Sequence, residues 1–331
     1  MSRAPTRTDE RAGRKGGAHV KFAEEIARDL PPEYELRHDA RAYLVSARAA
    51  SVELANAGYG LHTDGPLSVS ALAGRTPLLE LGSRGGALLV RRFSHGGLLR
   101  WLTRSRFGDP SRPFRELCVS RSLARAGVAT PEVVAARARR ASVLGWHLDL
   151  VTRRVADAID LGHLVASARR GELSSRAWRR TLRSAGAFVR RLHDAGCLHA
   201  DLTPNNMLVE KASLERGDPR LWIVDLDGAK LGAAIGDCER RDNLRRLVRF
   251  VERREERHGR LLTRADYARF LHGYDPQRVL WKRDWIAIEH DLARNDVWHR
   301  SGWLLERLLG KKHDARESSA RERASSLRDR A

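Results

Sequence analysis

Apolar positions change their spacing near residue 152, and the change predicts two unlike halves. From Pro77 to Thr152 short apolar runs alternate with turn signals. PLLEL (77–81), ALLVRRF (87–93), Val133-Val134 and ASVLGWHLDLVT (141–152) read as strands, the first two joined through a glycine-rich turn at residues 82–86. FRELCVSRSLARA (114–126) sets Leu117, Val119 and Leu123 at helical spacing, with Gly127 where a helix would be capped. Beyond Thr152 the helical period takes over. AWRRTLRSAGAFVRRLHDAG (177–196) carries a stripe of Trp178, Leu182, Ala185, Phe188, Val189 and Leu192 that ends at Gly196. Met207–Val209 and Leu221–Val224 have strand character, and the chain then reads as helix through residues 240–257, 263–274 and a Trp-bearing stretch from Trp281 to Leu309. The fold class expected is α+β, a strand-rich lobe followed by a helical lobe, meeting near Leu150 to Arg154. Polar residues 1–30 are expected to be a flexible arm and 311–331 a basic flexible tail. The first lobe then covers 31–152, with the role of its part before about residue 75 open, and the second covers 153–310.

Composition narrows the class. A chain of 331 residues with 42% hydrophobic content can bury a sizeable core, which excludes a small disulfide-dependent module and a wholly disordered chain. Lys and Arg total 62 against 42 acids, for a net charge of +20. Such an excess draws the chain toward nucleic acid, nucleotide, phosphorylated glycolipid or an anionic membrane face. Almost all the cations are arginines, and no lysine stands between Lys21 and Lys211. Cys118, Cys197 and Cys238 are far apart, which argues against a disulfide framework or a cysteine zinc site and fits a reducing cytosol. The first thirty residues hold no apolar signal region, and no apolar run has spanning length. A cytoplasmic location is expected, with peripheral attachment to the inner membrane's cytoplasmic face compatible with the charge.

Two short segments carry the chemistry. His199-Ala200-Asp201-Leu202-Thr203-Pro204-Asn205-Asn206 has the spacing of a kinase catalytic loop, and Ile223-Val224-Asp225-Leu226-Asp227 fills the place of a metal-binding D-F-G. Phosphoryl transfer asks a protein mainly for position and charge neutralisation. Asp201 fits the carboxylate that orients the accepting hydroxyl and takes its proton, with His199 beside it as a brace of the loop. Asn206 and Asp225 supply the hard oxygens that suit Mg²⁺ on a nucleotide. Gly82, Gly85 and Gly86 are candidates for a flap over the phosphates, although they read equally as a hairpin turn. Asp227 reads as a metal ligand, a brace or a loop acid. After Asp225 the chain passes almost directly into helix with no A-P-E, so the platform on which protein kinases hold peptide is missing, and a small-molecule or glycolipid acceptor is expected.

Over roughly residues 75–255 the sequence resembles the lipopolysaccharide kinase family, and most of all its 3-deoxy-D-manno-octulosonic acid (Kdo) kinase branch. The resemblance rests on ALLVRRFSHGGLLRWL, FRELCVSRSLARAGVATPEVVAA, LVTRRVADAIDL, VRRLHDAGCLHADLTPNNMLV, LWIVDLDGAKL and DNLRRLVRFV. It implies a two-lobed protein-kinase-like fold and an ATP- and Mg²⁺-dependent kinase acting on Kdo or another inner-core sugar of a lipopolysaccharide precursor. Asp201 is then the base, and Asn206 and Asp225 hold the metal. Glu116 is the helix carboxylate that pairs with a nucleotide-contacting cation. That cation is usually lysine, which this lobe lacks; Arg91 is the best-placed substitute and Arg92 the next, and adjacent strand positions face opposite ways. Other kinase-like phosphotransferases, of the aminoglycoside or choline kinase type, share the loop. A pseudokinase or nucleic-acid-binding protein is the remaining alternative, but no zinc-finger spacing, basic-region heptad or aromatic RNA-binding signature supports a nucleic-acid partner. SHGGLLRWLTRSRF (94–107) is a candidate contact with an anionic membrane.

Overall fold

The computed structural model describes residues 20–73, 76–82, 87–94, 106–141, 145–277, 282–283 and 285–288. Gly85, Gly86, most of the 94–107 connector, the tail from 311 and nearly all of the Trp281–Leu309 stretch lie outside them. The chain divides into two compact units, the first of which closes at Pro276. Its last helix ends at Tyr274, and Pro276, which has no N–H to donate, cannot prolong it. Both chemistry-bearing segments belong to this first unit.

The strand-rich part of the first unit is a seven-stranded antiparallel sheet in the order β1-β2-β6-β7-β5-β4-β3. The strands are β1 (Tyr34–His38), β2 (Ala42–Ala47), β3 (Leu67–Ala73), β4 (Thr76–Leu81), β5 (Leu88–Arg92), β6 (Val133–Arg140) and β7 (Trp146–Arg153). Helix α1 spans residues 20–29, α2 Ser51–Asn56 and α3 Arg112–Arg125. The segment before residue 75, whose role the sequence leaves open, therefore extends the lobe: β2 pairs with β6 and β1 with β2. The expected arm is corrected in its last ten residues. Residues 20–29 are helical, Ala23 and Ile26 are buried, and the Phe22 ring meets Tyr43 edge-on at 4.9 Å. A few apolar side chains at helical spacing are enough to dock a polar-looking helix.

Strand β6 is buried from Val133 to Ala138, including Arg137, which is 0% exposed. Its guanidinium donates to Asp149 Oδ2 and to the carbonyls of Gly60 (2.8 Å) and Thr63 (2.7 Å), and lies over the Tyr59 ring at 4.2 Å. A charge so deeply placed is tolerated only when paired and fully hydrogen-bonded. Here it ties the 59–64 segment onto the sheet.

The helical part comprises α4 (Leu161–Arg169), α5 (Ser175–Asp194), α6 (Lys211–Arg216), α7 (Asp237–His258) and α8 (Arg264–Tyr274). Between them run β8 (Ala158–Asp160), β9 (Cys197–Leu198), β10 (Met207–Glu210), β11 (Leu221–Ile223) and β12 (Lys230–Leu231). The predicted stripe of α5 is the buried one: Leu182, Ala185, Phe188, Val189 and Leu192 face inward. Gly186 and Gly273 let α5 and α8 touch backbone to backbone, since a Cβ on Gly186 would stand 1.9 Å from the Phe270 carbonyl oxygen. Gly196 turns the chain out of α5 at φ +76°, as its position predicts. No described helix is long and apolar enough to cross a membrane.

Candidate active site

Strand pairing brings the two motifs together. Asn206 immediately precedes β10 and Val224 immediately follows β11, and the antiparallel register sets Met207 opposite Ile223. The Val224 N–H therefore donates to the Asn206 carbonyl at 3.0 Å, which places Asp225 next to the end of the catalytic loop. Within that loop the Asn206 carboxamide donates from Nδ2 to the Asp201 carbonyl at 2.8 Å and approaches Asp201 Oδ2 at 3.4 Å. With the nitrogen so engaged, Oδ1 is the end left to accept or ligate. The Asp201 and Asp225 side chains are exposed to solvent. Asp225 adopts φ +60°, a left-handed conformation that Asp tolerates better than most residues and that clusters at functional sites.

The first lobe reaches this loop through Arg91. Its Nη1 donates to Asp225 Oδ1 at 2.5 Å and its Nη2 to Glu116 Oε2, while Glu116 Oε1 accepts the Leu226 N–H at 3.1 Å. Glu116 is 4% exposed. Burial pushes its carboxyl up, Arg91 pulls it down, and the nearby Asp225 and Asp227 charges push it up again, leaving it at about 7. The buried carboxylate thus depends on Arg91 for its charge near neutral pH. Arg92 faces the other way and pairs with Asp64 at 3.0 Å, so the alternation of strand side chains selects Arg91.

His199 is buried and bridges the two motifs. Its Nδ1 accepts the Asp201 N–H at 3.1 Å, which leaves the proton on Nε2 to be donated to the Val224 carbonyl at 3.0 Å. Burial holds its pKa below the usual histidine value. With both nitrogens used inside the protein, His199 has the contacts of a brace. A second layer lies behind it, which sequence reading missed. Asn243 on α7 donates to the His199 carbonyl at 2.7 Å and accepts from His193 Nε2 at 3.1 Å, and Arg246 one turn on donates to the Ala200 carbonyl at 2.7 Å. The signal was present in DNLRRL: Asn243 and Arg246 stand at i and i+3, on one helix face.

His193 is completely buried between Asn243 and Tyr274, whose hydroxyl lies 2.8 Å from Nδ1. Burial lowers its pKa from 6.5 to about 4. Between those values the unfolded chain binds the proton and the folded protein does not, so stability rises with pH. The contribution is complete above pH 6.5 and is lost as pH falls toward 4, with a loss of about 3 kcal/mol at most. Urea midpoints across this range are expected to fall more steeply for the wild type than for His193→Gln; parallel slopes would contradict the assignment.

Other expected positions are not brought to the site. Gly82 follows β4, is exposed, and would accept a Cβ without contact. The register sets Leu81 opposite Leu88 but Leu78 opposite Arg91, so Gly82 follows the end of β4 that is farther from Arg91. Gly82 therefore does not share Arg91's level, and Gly85 and Gly86 lie outside the described residues. The end that shares Arg91's level is the β3–β4 pairing, which runs out to Ala73 and Thr76. Asp227 is half-buried and takes both guanidinium branches of Arg112, at 3.2 Å from Nε to Oδ1 and through Nη2 to Oδ2.

Comparison with known proteins gives the chain a family. Residues 79–274 match the Lipopolysaccharide kinase (Kdo/WaaP) family. A 3-deoxy-D-manno-octulosonic acid kinase of Actinobacillus succinogenes is 32% identical over 189 residues, covering 56% of this chain and 74% of that protein. Its counterpart from Vibrio cholerae is 30% identical over 184 residues, covering 54% and 71%. Among solved structures, "WaaP in complex with acyl carrier protein" aligns with a TM-score of 0.48 and 24% identity over 69% of this chain and 87% of that one. With its match extending over more than half the chain and through both motifs, the protein belongs to the lipopolysaccharide kinase (Kdo/WaaP) family, whose members transfer phosphate to a sugar hydroxyl.

Proposed function

We propose that this protein transfers the γ-phosphoryl group of ATP to a hydroxyl of Kdo, or of another inner-core sugar, on a lipopolysaccharide precursor. The observation that carries the reading is the meeting of Asp201, Asn206 and Asp225 at the ends of β10 and β11, with Arg91 joining Asp225 to Glu116. Asp201 orients the accepting hydroxyl and takes its proton. Because the transition state of phosphoryl transfer is loose, position and neutralised charge matter more than a strong base. An exposed carboxylate in a braced loop suits that task.

The donor set fits Mg²⁺. Among the described residues no group of three or more His, Cys, Asp or Glu gathers as a transition-metal site would require. One carboxylate and one carboxamide oxygen instead leave most positions to phosphate and water, as Mg²⁺ prefers. Asp225 and Asn206 would hold the ion, which when bound neutralises charge on the nucleotide phosphates. Arg91 carries the role that lysine fills elsewhere, and its fork holds Glu116 and Asp225 at once.

Only residues 226–236 separate Asp225 from α7, and within them Lys230–Leu231 pairs with Cys197–Leu198. That short tether offers no platform for a peptide and favours a sugar acceptor. The excess of positive charge suits an anionic glycolipid and contact with an anionic membrane face. The test is incubation with labelled ATP, Mg²⁺ and Kdo-bearing lipid A precursors. A product heavier by one phosphate at the sugar is expected by mass spectrometry; no transfer to any such precursor would remove the reading.

A further inference from the structure

Asp227 stands two residues beyond Asp225, where D-F-G loops have glycine. In this protein three successive residues of the loop are each gripped by the first lobe. Arg91 holds Asp225 at 2.5 Å, Glu116 accepts the Leu226 N–H at 3.1 Å, and Arg112 takes both oxygens of Asp227. Arg112 and Glu116 are at i and i+4 on α3, so one face of that helix supplies two of the three grips. The Arg112 guanidinium also lies over Phe107, at 4.7 Å from the ring centroid, and over Phe93 at 5.7 Å; Phe93 in turn sits under Arg91 at 4.5 Å. A planar fork that meets a carboxylate through two nitrogens and is flanked by rings has little freedom left.

We propose that Arg112 and Asp227 form a positioning clamp, in which Asp227 serves to fix α3 rather than to bind metal. A carboxylate whose two oxygens both face one guanidinium is a poor candidate for a cation's ligand. Its geometric consequence is direct: with α3 pinned at Arg112, Glu116 one turn later stays on Arg91 and on the Leu226 N–H. In many kinases this helix is set by a phosphorylated activation segment. Here residues 226–236 leave no room for one, and the placement is built into the resting fold. The effect on nucleotide affinity rests on the function proposed above; the coupling of α3 to the loop does not.

The experiment is a double-mutant cycle of Arg112→Gln and Asp227→Asn, with Arg112→Lys added so that the cycle can be read if the glutamine variant does not fold. Hydrogen exchange at the Leu226 amide in the nucleotide-free protein reports the clamp without any ATP. Each single change is expected to speed that exchange about 10-fold, as loss of a charge-assisted hydrogen bond would, and the double change no further. Arg112→Lys, which keeps the charge but loses the fork, is expected to fall between. Any change in titrated Mg²⁺-ATP affinity should be the same in the two single variants and no larger in the double, because both remove one and the same clamp. Unchanged exchange in either single variant, or losses that multiply in the double, would overturn the clamp. So would a raised Mg²⁺ requirement in Asp227→Asn with none in Arg112→Gln, which would make Asp227 a ligand. A wild type that binds no Mg²⁺-ATP would remove the proposed function, while the exchange data would still decide the clamp.

Discussion

Asp201→Asn is expected to lower phosphoryl transfer by about 10³-fold while leaving the fold and Mg²⁺-ATP affinity nearly unchanged, in the range that a positioned proton acceptor contributes. The separation follows from the contacts. Asp201 is exposed, and its carboxylate makes one long contact, 3.4 Å from Asn206 Nδ2, whereas its backbone does the structural work by accepting from Asn206 and donating to His199. An asparagine keeps the shape and the backbone bonds but cannot take a proton. Asp225, the residue assigned to the metal, is untouched. Single-turnover transfer rates and nucleotide titrations on the same preparation check both halves. Turnover within a few fold of the wild type would remove Asp201 from the role of base.

Arg91→Ala is expected to act on binding and stability together. It strips the counter-ion from Glu116, a group 4% exposed whose carboxyl already sits at about 7 with Arg91 present. Removing one member of a buried ion pair costs about 3–5 kcal/mol. Protonation of Glu116 offsets part of that cost, and the loop loses its grip on Asp225. A fall of about 100-fold in Mg²⁺-ATP affinity is expected if two charge-assisted bonds of the usual size are lost. Arg91→Lys retains the charge but presents one nitrogen where two guanidinium branches now reach two carboxylates, so its affinity is expected between those of alanine and wild type. Arg92→Ala is the control: that side chain is on the opposite face with Asp64 and should leave nucleotide affinity unchanged. Equal losses in Arg91→Ala and Arg92→Ala would contradict the assignment of faces. Thermal melts and nucleotide titrations measure each outcome.

Much of the architecture was legible along the chain, and the parts that were not share a cause. The α5 stripe, its stop at Gly196, the α3 pattern around Leu117 and Leu123, and the short strands beside each motif all follow from apolar period and turn chemistry, which are local. Strand β2 escaped because one of its partners is distant: it is held by pairing with β6, about ninety residues on, and beside a buried arginine that no local pattern marks as interior. Helix α1 escaped because its few inward residues, Ala23 and Ile26, stand in a polar, glycine-rich context.

The site divides in the same way. His199, Asp201, Asn206 and Asp225 could be named from spacing, because phosphoryl-transfer chemistry demands those groups at those intervals within two short segments. The pairing of Arg91 rather than Arg92 with Asp225, the separation of Gly82 from Arg91's level, the brace formed by Asn243 and Arg246, and the pairing of Asp227 with Arg112 were decided only by the tertiary structure. Each depends on strand register, on the face a side chain takes, or on which helix turn meets a loop from another part of the chain. Spacing within a segment expresses what the backbone does over a few residues. Which distant segments touch is set only when the sheet closes and the helices dock on it.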